Sequence, residues 1–143
     1  MSDTEAVILD THVWVWAMED ATELRSQPAR RAIEQASEHT QLHLCSVSVF
    51  ELTKLESSGR VSFALALDDW ITQALSTPGL VLTQLEQAIA MEAARLPGAF
   101  KGDLIDRVIA ATARRLGAVV LSADTALLDY GRAGYLKTLD PSL

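Results

Sequence analysis

The sequence predicts an α/β fold, a three-layer α/β/α sandwich around a mostly parallel sheet. Four short runs of strand length recur along the chain, and their residues are almost continuously apolar. Such runs are typical of strands that are covered on both faces, as in a parallel sheet. Stretches of helical length separate them, and this alternation favours β-α units. The expected strands are residues 6–9, 42–47, 79–82 and 118–121.

Helices are expected between these strands because residues that start or stop helices flank the intervening stretches. Ser26, just before Pro28, suits an N-terminal cap. Gly59 and Gly117 suit C-terminal ends. The clearest helix ends at Gly117, and its apolar positions follow the i, i+3, i+4, i+7 rule. The expected helices are residues 28–39, 50–58, 65–76, 85–96 and about 103–116.

Length and composition predict one globular domain over residues 1–143, without a linker or an internal repeat. The net charge of −7 argues against a protein that grips nucleic acid by bulk electrostatics. That objection weakens if the carboxylates are concentrated in one site, because bound divalent cations would reverse the sign of the charge there.

The chain carries no recognisable secretory or membrane signal. Its first five residues, Met1 to Glu5, are acidic where a signal peptide would be cationic. Its most apolar stretch, residues 13–18, is far shorter than the ~20 residues needed to cross a bilayer. The single Cys45 lies in an apolar run and is expected to be a buried structural thiol. A reducing cytosol is the simplest location.

Acidic residues stand where the predicted strands end or where a helix begins. Asp10 directly follows the first strand, Glu51 lies past the second, and Asp124 comes three residues after the fourth. Asp103 and Asp106 open the clearest helix, three residues apart and therefore on one face. Because parallel strands end at one edge of a sheet, these side chains are expected to converge there.

Each of these carboxylates alone has a simpler explanation, because acidic residues also cap helix N-termini. Several together would repel one another without a cation. Their hard oxygen donors suit Mg²⁺ or Mn²⁺, which could acidify a water molecule and offset the charge of a phosphodiester. Metal-dependent hydrolysis would then need no Ser or Cys nucleophile.

Other catalytic constellations have little support in the sequence. His12, His39 and His43 lack the spacing of a zinc site. The chain has no glycine-rich phosphate loop and no Gly-x-Ser-x-Gly elbow. An aspartyl-phosphate phosphatase would need a second Asp two residues after Asp10, where this chain has His12.

Four segments together resemble the VapC-type PIN-domain family, in family order and over nearly the whole chain. The third is the most specific, although the family's common Asp-Pro-x-Asp-Arg stands here as Asp103-Leu104-Ile105-Asp106-Arg107. Losing the proline removes a preset helix-entry dihedral but no ligand. The segments are residues 8–16 with the Asp10-Thr11 pair, 46–61 with Glu51, 96–113, and 121–124 with Ser122 and Asp124.

The resemblance implies a magnesium-dependent endoribonuclease, usually a homodimer, that a VapB-like antitoxin neutralises. Asp10, Glu51, Asp106 and Asp124 match the family's acidic quartet. On this basis Asp10 and Asp106 are expected to ligate the metal directly and Asp124 to complete its shell. Glu51 would ligate through water or position the attacking water. Asp103 is an auxiliary acid or the partner of Arg107.

Further candidates surround the quartet. The hydroxyls of Thr11 and Ser122 are expected to hydrogen-bond the carboxylates or a phosphate oxygen, with simple capping as the alternative. RNA-backbone contacts are expected from Arg107, Arg114, Lys54 and Arg60, with an ordinary exposed basic face as the alternative. Two other functions stay open: a PIN-fold nuclease acting on DNA or structured nucleic acid, and a catalytically silent protein-interaction module.

Overall fold

A computed structural model describes residues 5–143 of the chain. Within that range it contains five strands and seven helices, and each strand except the last is followed by helices. The elements are β1 (Val7–Leu9), α1 (Thr11–Met18), α2 (Gln27–Glu38), β2 (Leu42–Cys45), α3 (Ser46–Ser57), α4 (Leu67–Leu75), β3 (Leu80–Thr83), α5 (Gln87–Ala94), α6 (Leu104–Leu116), β4 (Val119–Leu121), α7 (Thr125–Arg132) and β5 (Lys137–Leu139).

The five strands form one sheet in the order β3-β2-β1-β4-β5, and every pairing is parallel. The predicted parallel α/β fold is therefore confirmed. The chain adds β2 and β3 on one side of β1 and then β4 and β5 on the other. This reversal of strand order lies between β1 and β4, and ligands of open α/β sheets bind beyond the carboxyl ends of the strands at such a point.

Helices cover both faces of the sheet because successive strand residues point to opposite sides. Val7 and Leu9 pack into a core with α1, α2, α3 and α4, whereas Ile8 packs with α6 and α7 on the other side. The α5 helix packs on α6 through Ile89 and Ala93. Burial on both faces explains why the strands read as continuous apolar runs.

The structure differs from the predicted elements in four places. The second strand ends at Cys45, and α3 begins at Ser46 rather than at Phe50, so Glu51 lies in its second turn and not its first. The α1 and α7 helices and β5 have no predicted counterpart. The acidic start that argued against a secretory signal lies, apart from Glu5, outside the described residues.

Two of the predicted boundaries agree closely with the structure. Ser26 caps α2 by accepting a hydrogen bond from the Ala29 amide. Gly117 ends α6 in the left-handed conformation with φ of 63°, which a glycine adopts without steric cost. Among the helices of residues 5–143, none is long and apolar enough to span a membrane.

Candidate metal centre

Three aspartates at the carboxyl edge of the sheet are the N-caps of three helices. Asp10 caps α1 directly after β1, Asp103 caps α6, and Asp124 caps α7 three residues after β4. The strands β1 and β4 pair side by side, with Leu9 opposite Leu121. Asp10 and Asp124 therefore stand on the two sides of the reversal in strand order.

A buried hydrogen-bond network fixes Asp10. The residue is 5% exposed, and its Oδ1 accepts from the Thr11 amide at 2.7 Å. Its Oδ2 accepts from the Ser122 hydroxyl at 2.6 Å. The same Ser122 oxygen accepts from the Asp124 amide at 2.9 Å. Ser122 therefore joins the loop after β4 to the carboxylate after β1, which explains why a hydroxyl is needed there.

Ser48, which was not among the residues predicted from the sequence, extends this network. The Thr11 hydroxyl donates to Ser48 Oγ at 2.9 Å, and both side chains are fully buried. Ser48 lies three residues before Glu51 on α3 and so shares a face with it. That spacing was the available signal. The contact links α1 to α3. It therefore connects the segment that follows Asp10 to the helix that carries Glu51.

The electrostatics of Asp106 show that the carboxylates are neighbours. Asp106 follows its cap Asp103, whose Oδ1 accepts from the Asp106 amide at 2.9 Å. Burial raises the pKa of Asp106 to about 8, and the negative charges of Asp124, Asp103 and Asp10 contribute to the rise. Burial and like charge both disfavour the ionised form of an acid. The structure therefore brings the predicted aspartates into one electrostatic environment.

Asp10 and Glu51 belong to the same environment. Burial raises the pKa of Asp10, and the charge of Glu51 adds to the rise. The hydrogen bonds from Ser122 and Thr11, together with the charge of His12, act in the opposite direction. The ionised form of Asp10 is thus opposed by its surroundings, and a positive charge in the site would favour it.

The carboxylates differ in arrangement from a preformed divalent-cation site. Within residues 5–143, no three His, Cys, Asp or Glu side chains stand as a ready metal-binding group. Helix capping partly explains why these carboxylates do not form such a group, because Asp10, Asp103 and Asp124 each turn one oxygen toward a backbone amide. An ionised carboxylate has about four lone-pair sites, so each retains acceptor capacity. Crowded oxygen donors with raised proton affinity fit a hard divalent cation once the side chains reorient.

Glycine is required in the loop before α6 by a close approach. A Cβ on Gly102 would lie 2.6 Å from the Phe100 ring and 2.7 Å from Cβ of Asp106. Any larger residue would displace one of these groups. The absence of a side chain at Gly102 therefore lets the loop pass close to Asp106.

The predicted basic residues divide into two groups. Lys54 and Arg60 line a cavity of about 340 Å³ together with Glu51 and Asp103, so they lie beside the acidic residues. Arg114 instead donates to the Tyr135 carbonyl at 2.8 Å. It lines a cavity with residues that precede β4 and β5, at the opposite edge of the sheet. The structure does not bring it to the carboxylates.

Arg107 is held by backbone carbonyls. Its guanidinium donates to the carbonyls of Ala93 and Phe100 at 3.0 and 3.4 Å and lies 5.6 Å from the centroid of the Phe100 ring. It ties the loop before α6 to α5. Among the described residues, no ion pair joins it to Asp103, whose carboxylate acts as a cap.

Cys45 is a buried thiol, as predicted. It is 1% exposed, and burial raises its pKa to about 11. Since the thiolate is the reactive form, a thiol of this kind is inert at neutral pH.

A parallel sheet with acidic residues gathered at the reversal of strand order defines the class of the molecule: an α/β protein with an acidic cluster beyond the carboxyl ends of its strands. The sequence matches the family described as PIN domain over residues 7–133. The chain belongs to the PIN domain family.

The similarity extends to a curated relative and to solved structures. The chain is 34% identical to Ribonuclease VapC22 of Mycobacterium tuberculosis (strain ATCC 25618 / H37Rv) over 121 residues, 85% of this chain and 88% of that protein. The fold is similar to a chain of VapBC2 from Rickettsia felis bound to a promoter DNA fragment. The TM-score is 0.65 and the sequence identity 15%, with coverage of 94% of this chain and 97% of that chain. The fold is also similar to a chain of a toxin-antitoxin complex from Klebsiella pneumoniae. The TM-score is 0.64 and the sequence identity 18%, with coverage of 95% of this chain and 98% of that chain.

Proposed function

We propose that this chain is a divalent-metal-dependent endoribonuclease and the toxin of a VapBC-type toxin–antitoxin pair, acting as a single PIN domain over residues 1–143. The observation that carries the proposal is the shared electrostatic environment of Asp10, Asp103, Asp106 and Asp124, with the pKa of Asp106 raised to about 8. Such a cluster is costly unless a cation compensates it. The similarity to Ribonuclease VapC22 supports RNA as the substrate.

Asp10, Asp106 and Asp124 would hold Mg²⁺, or Mn²⁺ in its place, through carboxylate oxygens. The bound ion supplies Lewis acidity, which acidifies water and offsets the negative charge of a phosphodiester. Ser122 and the Thr11 amide keep Asp10 in one orientation. Asp103 keeps the first turn of α6 in place through the Asp106 amide.

Glu51 is the candidate for positioning the attacking water. Its charge acts on Asp10, and its helix begins at the carboxyl edge of the sheet. In hydrolysis a water oxygen attacks phosphorus and an ester P–O bond breaks. The proton of the water passes to a base, and the departing ester oxygen takes up a proton from solvent. A carboxylate at the rim of the site suits the role of that base.

The direct test is cleavage of a single-stranded RNA by the purified protein in Mg²⁺ or Mn²⁺. We expect activity that excess chelator abolishes and that Asp10→Asn abolishes without loss of the folded state. Asp129→Asn is the matched control, because Asp129 is an exposed carboxylate paired with Arg132. Full activity of Asp10→Asn, or activity in excess chelator, would refute the proposal.

The two alternative functions predict different results in the same assays. A nuclease for DNA or structured nucleic acid would cut a matched DNA oligonucleotide or a hairpin at least as fast as the RNA, whereas an RNA enzyme distinguishes the 2′-hydroxyl. An interaction module would show no heat of Mn²⁺ binding at millimolar metal in calorimetry.

The partners follow from the same family likeness. The solved structures similar in fold include toxin–antitoxin complexes, which supports a VapB-like antitoxin as the neutralising partner. The proposed working form is a homodimer in the cytosol, as the family resemblance implies. A short antitoxin-like reading frame beside this one is expected. Inhibition of RNA cleavage by its product tests the pairing, and sedimentation of the isolated chain tests the dimer.

A further inference from the structure

The cavity beside the acidic residues has a lining that combines an aromatic ring with two cations. Phe50, Lys54 and Arg60 line about 340 Å³ together with Glu51 and Asp103. We call it the Phe50 cavity. Glu51 and Asp103 belong to the candidate metal centre, so the cavity opens directly beside it.

Phe50 is unusually exposed for a large apolar residue. It is 61% exposed, whereas Leu52, two residues further along the same helix, is fully buried. The Lys54 ammonium lies 5.7 Å from the centroid of the Phe50 ring. An i, i+4 cation–π pair of this kind stabilises a helix slightly. That pairing does not explain why a hydrophobic ring is displayed at the rim of a polar site.

The charges of the cavity change sign along α3. This helix begins at the carboxyl edge of the sheet, Glu51 lies in its second turn, and Lys54 lies about 4.5 Å further along the axis. Arg60 follows beyond the end of the helix. Neither Lys54 nor Arg60 takes part in an ion pair within residues 5–143. Two cations without carboxylate partners, in a chain of net charge −7, leave a place for an external anion.

We infer that the Phe50 cavity seats one unstacked nucleobase of single-stranded RNA beside the scissile phosphate, with Phe50 as the stacking platform. Lys54 and Arg60 contact the adjoining backbone phosphate. Base–aromatic stacking with flanking cations is the general mode of single-strand recognition. The inference rests on the proposed function, because it places the base relative to the same acidic residues. Phe50 is a specificity-determining residue and takes no part in the hydrolytic step.

The test is a walk of abasic sites through a short single-stranded RNA. One nucleotide at a time is replaced by its abasic form, and kcat/KM is measured for the wild type and for Phe50→Ala. In the wild type, one position next to the cut is expected to lower kcat/KM about tenfold, the size of one lost base–aromatic stack. In Phe50→Ala the intact RNA is cut about tenfold more slowly, and that abasic position has no additional effect.

Matched variants separate stacking from other effects. Phe50→Trp should retain the abasic effect, because its ring still offers a stacking face. Leu116→Ala removes another exposed apolar side chain, 43% exposed at the far end of α6, and should behave as the wild type. Lys54→Ala and Arg60→Ala should weaken binding to every oligonucleotide alike and reduce the salt dependence by about one ion each.

Binding of the same oligonucleotides, followed by fluorescence anisotropy in Ca²⁺, makes the test independent of cleavage. Suppose that the wild type does not cut RNA but binds it, and that one abasic position weakens this binding. The inferred base-binding role of the Phe50 cavity is then supported, and the proposed enzyme activity is refuted. If RNA is cut or bound and no abasic position depends on Phe50, the inference is wrong and the enzyme stands. Absence of both binding and cleavage overturns both.

The remaining possible results are those in which Phe50 contacts a protein instead of RNA. Suppose that Phe50→Ala leaves RNA binding unchanged but converts a dimer to a monomer in sedimentation. Phe50 would then belong to an interface between copies of the chain. Unchanged RNA binding together with lost inhibition by the antitoxin would assign the cavity to that protein. Either result overturns the inference.

Discussion

Charged side chains are arranged differently at the two edges of the sheet: opposite charges pair at the amino edge, and like charges cluster at the carboxyl edge. At the amino edge, Glu92 pairs with Arg114 and Arg115, and Lys137 pairs with Glu5. The cavity there is the larger, at about 610 Å³ against 340 Å³ beside Phe50. At the carboxyl edge, like charges stand together and raise the pKa of Asp106 to about 8. Uncompensated charge, rather than the volume of a cavity, therefore marks the candidate site.

The largest expected difference between the edges is in activity. Asp106→Asn should lower the rate of RNA cleavage by more than about a hundredfold, since even groups that only orient a metal ligand contribute about 10–100-fold. Glu92→Gln, at the amino edge, should leave the rate within about twofold of the wild type while weakening a surface ion-pair network. Rates at saturating Mn²⁺ check both variants. A large loss of cleavage rate in Glu92→Gln would contradict the proposed difference between the two edges of the sheet.

Ser122→Ala tests how the acidic edge is held together. It removes the hydroxyl between Asp10 and the Asp124 amide, and we expect about 10–100-fold lower activity. The lost hydrogen bond lowered the pKa of Asp10, so the alkaline shift of the pH–rate profile is the signature of a positioning role. Ser142→Ala, which breaks the Ser142–Asp140 contact beyond β5, is the control. An unshifted profile in Ser122→Ala would contradict the assignment.

The raised pKa of Asp106 predicts how stability depends on pH. Between the ordinary carboxyl pKa of 3.8 and the raised pKa of about 8, the folded protein keeps a proton that the unfolded chain has lost. The free energy of unfolding should therefore fall as pH rises through this window and level off above it. Asp106→Asn lacks this term. Without metal at pH 8 it should be more stable than the wild type by about 1–2 kcal/mol, after allowance for solvent screening.

Urea unfolding of both proteins from pH 4 to pH 8 measures that difference. Mn²⁺ at pH 8 should stabilise the wild type and leave Asp106→Asn nearly unchanged, because ligand binding to the folded state alone raises its stability. A gap that does not widen with pH would show that Asp106 is not electrostatically strained.

The smallest effect concerns the entry to α6. Leu104 is the first residue of this helix and is 71% exposed, and its cap Asp103 is extended with ψ of −173°. Proline fits both conditions. Leu104→Pro should raise the midpoint of urea unfolding by an amount equivalent to about 0.4–1 kcal/mol and leave the cleavage rate unchanged. Destabilisation would show that the loop needs a different backbone at this position.

The parts of the fold that could be predicted are those with a strong local signal. Strands buried on both faces appear as apolar runs, and the amphipathic α6 ends at Gly117 as its sequence indicates. β5 escaped prediction because Lys137 is exposed at its start and its three residues do not form a continuous apolar run. The α7 helix spans eight residues, too few for a clear periodic pattern. The start of α3 was misplaced because Ser46 and Val47 continue the apolar run of β2.

The candidate site was only partly accessible for a similar reason. Asp10 and Asp124 stand directly beyond strands, so topology alone suggested that they meet. The signal for Ser48 was only its spacing of three residues from Glu51, because its role arises from a contact with Thr11 across 37 residues of sequence. Arg107 and Arg114 lie on one helical stripe in the sequence. The carbonyls that engage them belong to other segments and appear only in the folded chain.

By itself, the sequence determined the strand and helix types and the positions of the acidic residues at the ends of these elements, because hydrophobic periodicity and capping are local properties. Tertiary structure alone decided which strands are neighbours and, therefore, which charges share a field. It turned Arg114 toward Tyr135 and left Lys54 beside Glu51. Electrostatic interaction depends on distance through space and on burial, and neither is written in the spacing of residues along the chain.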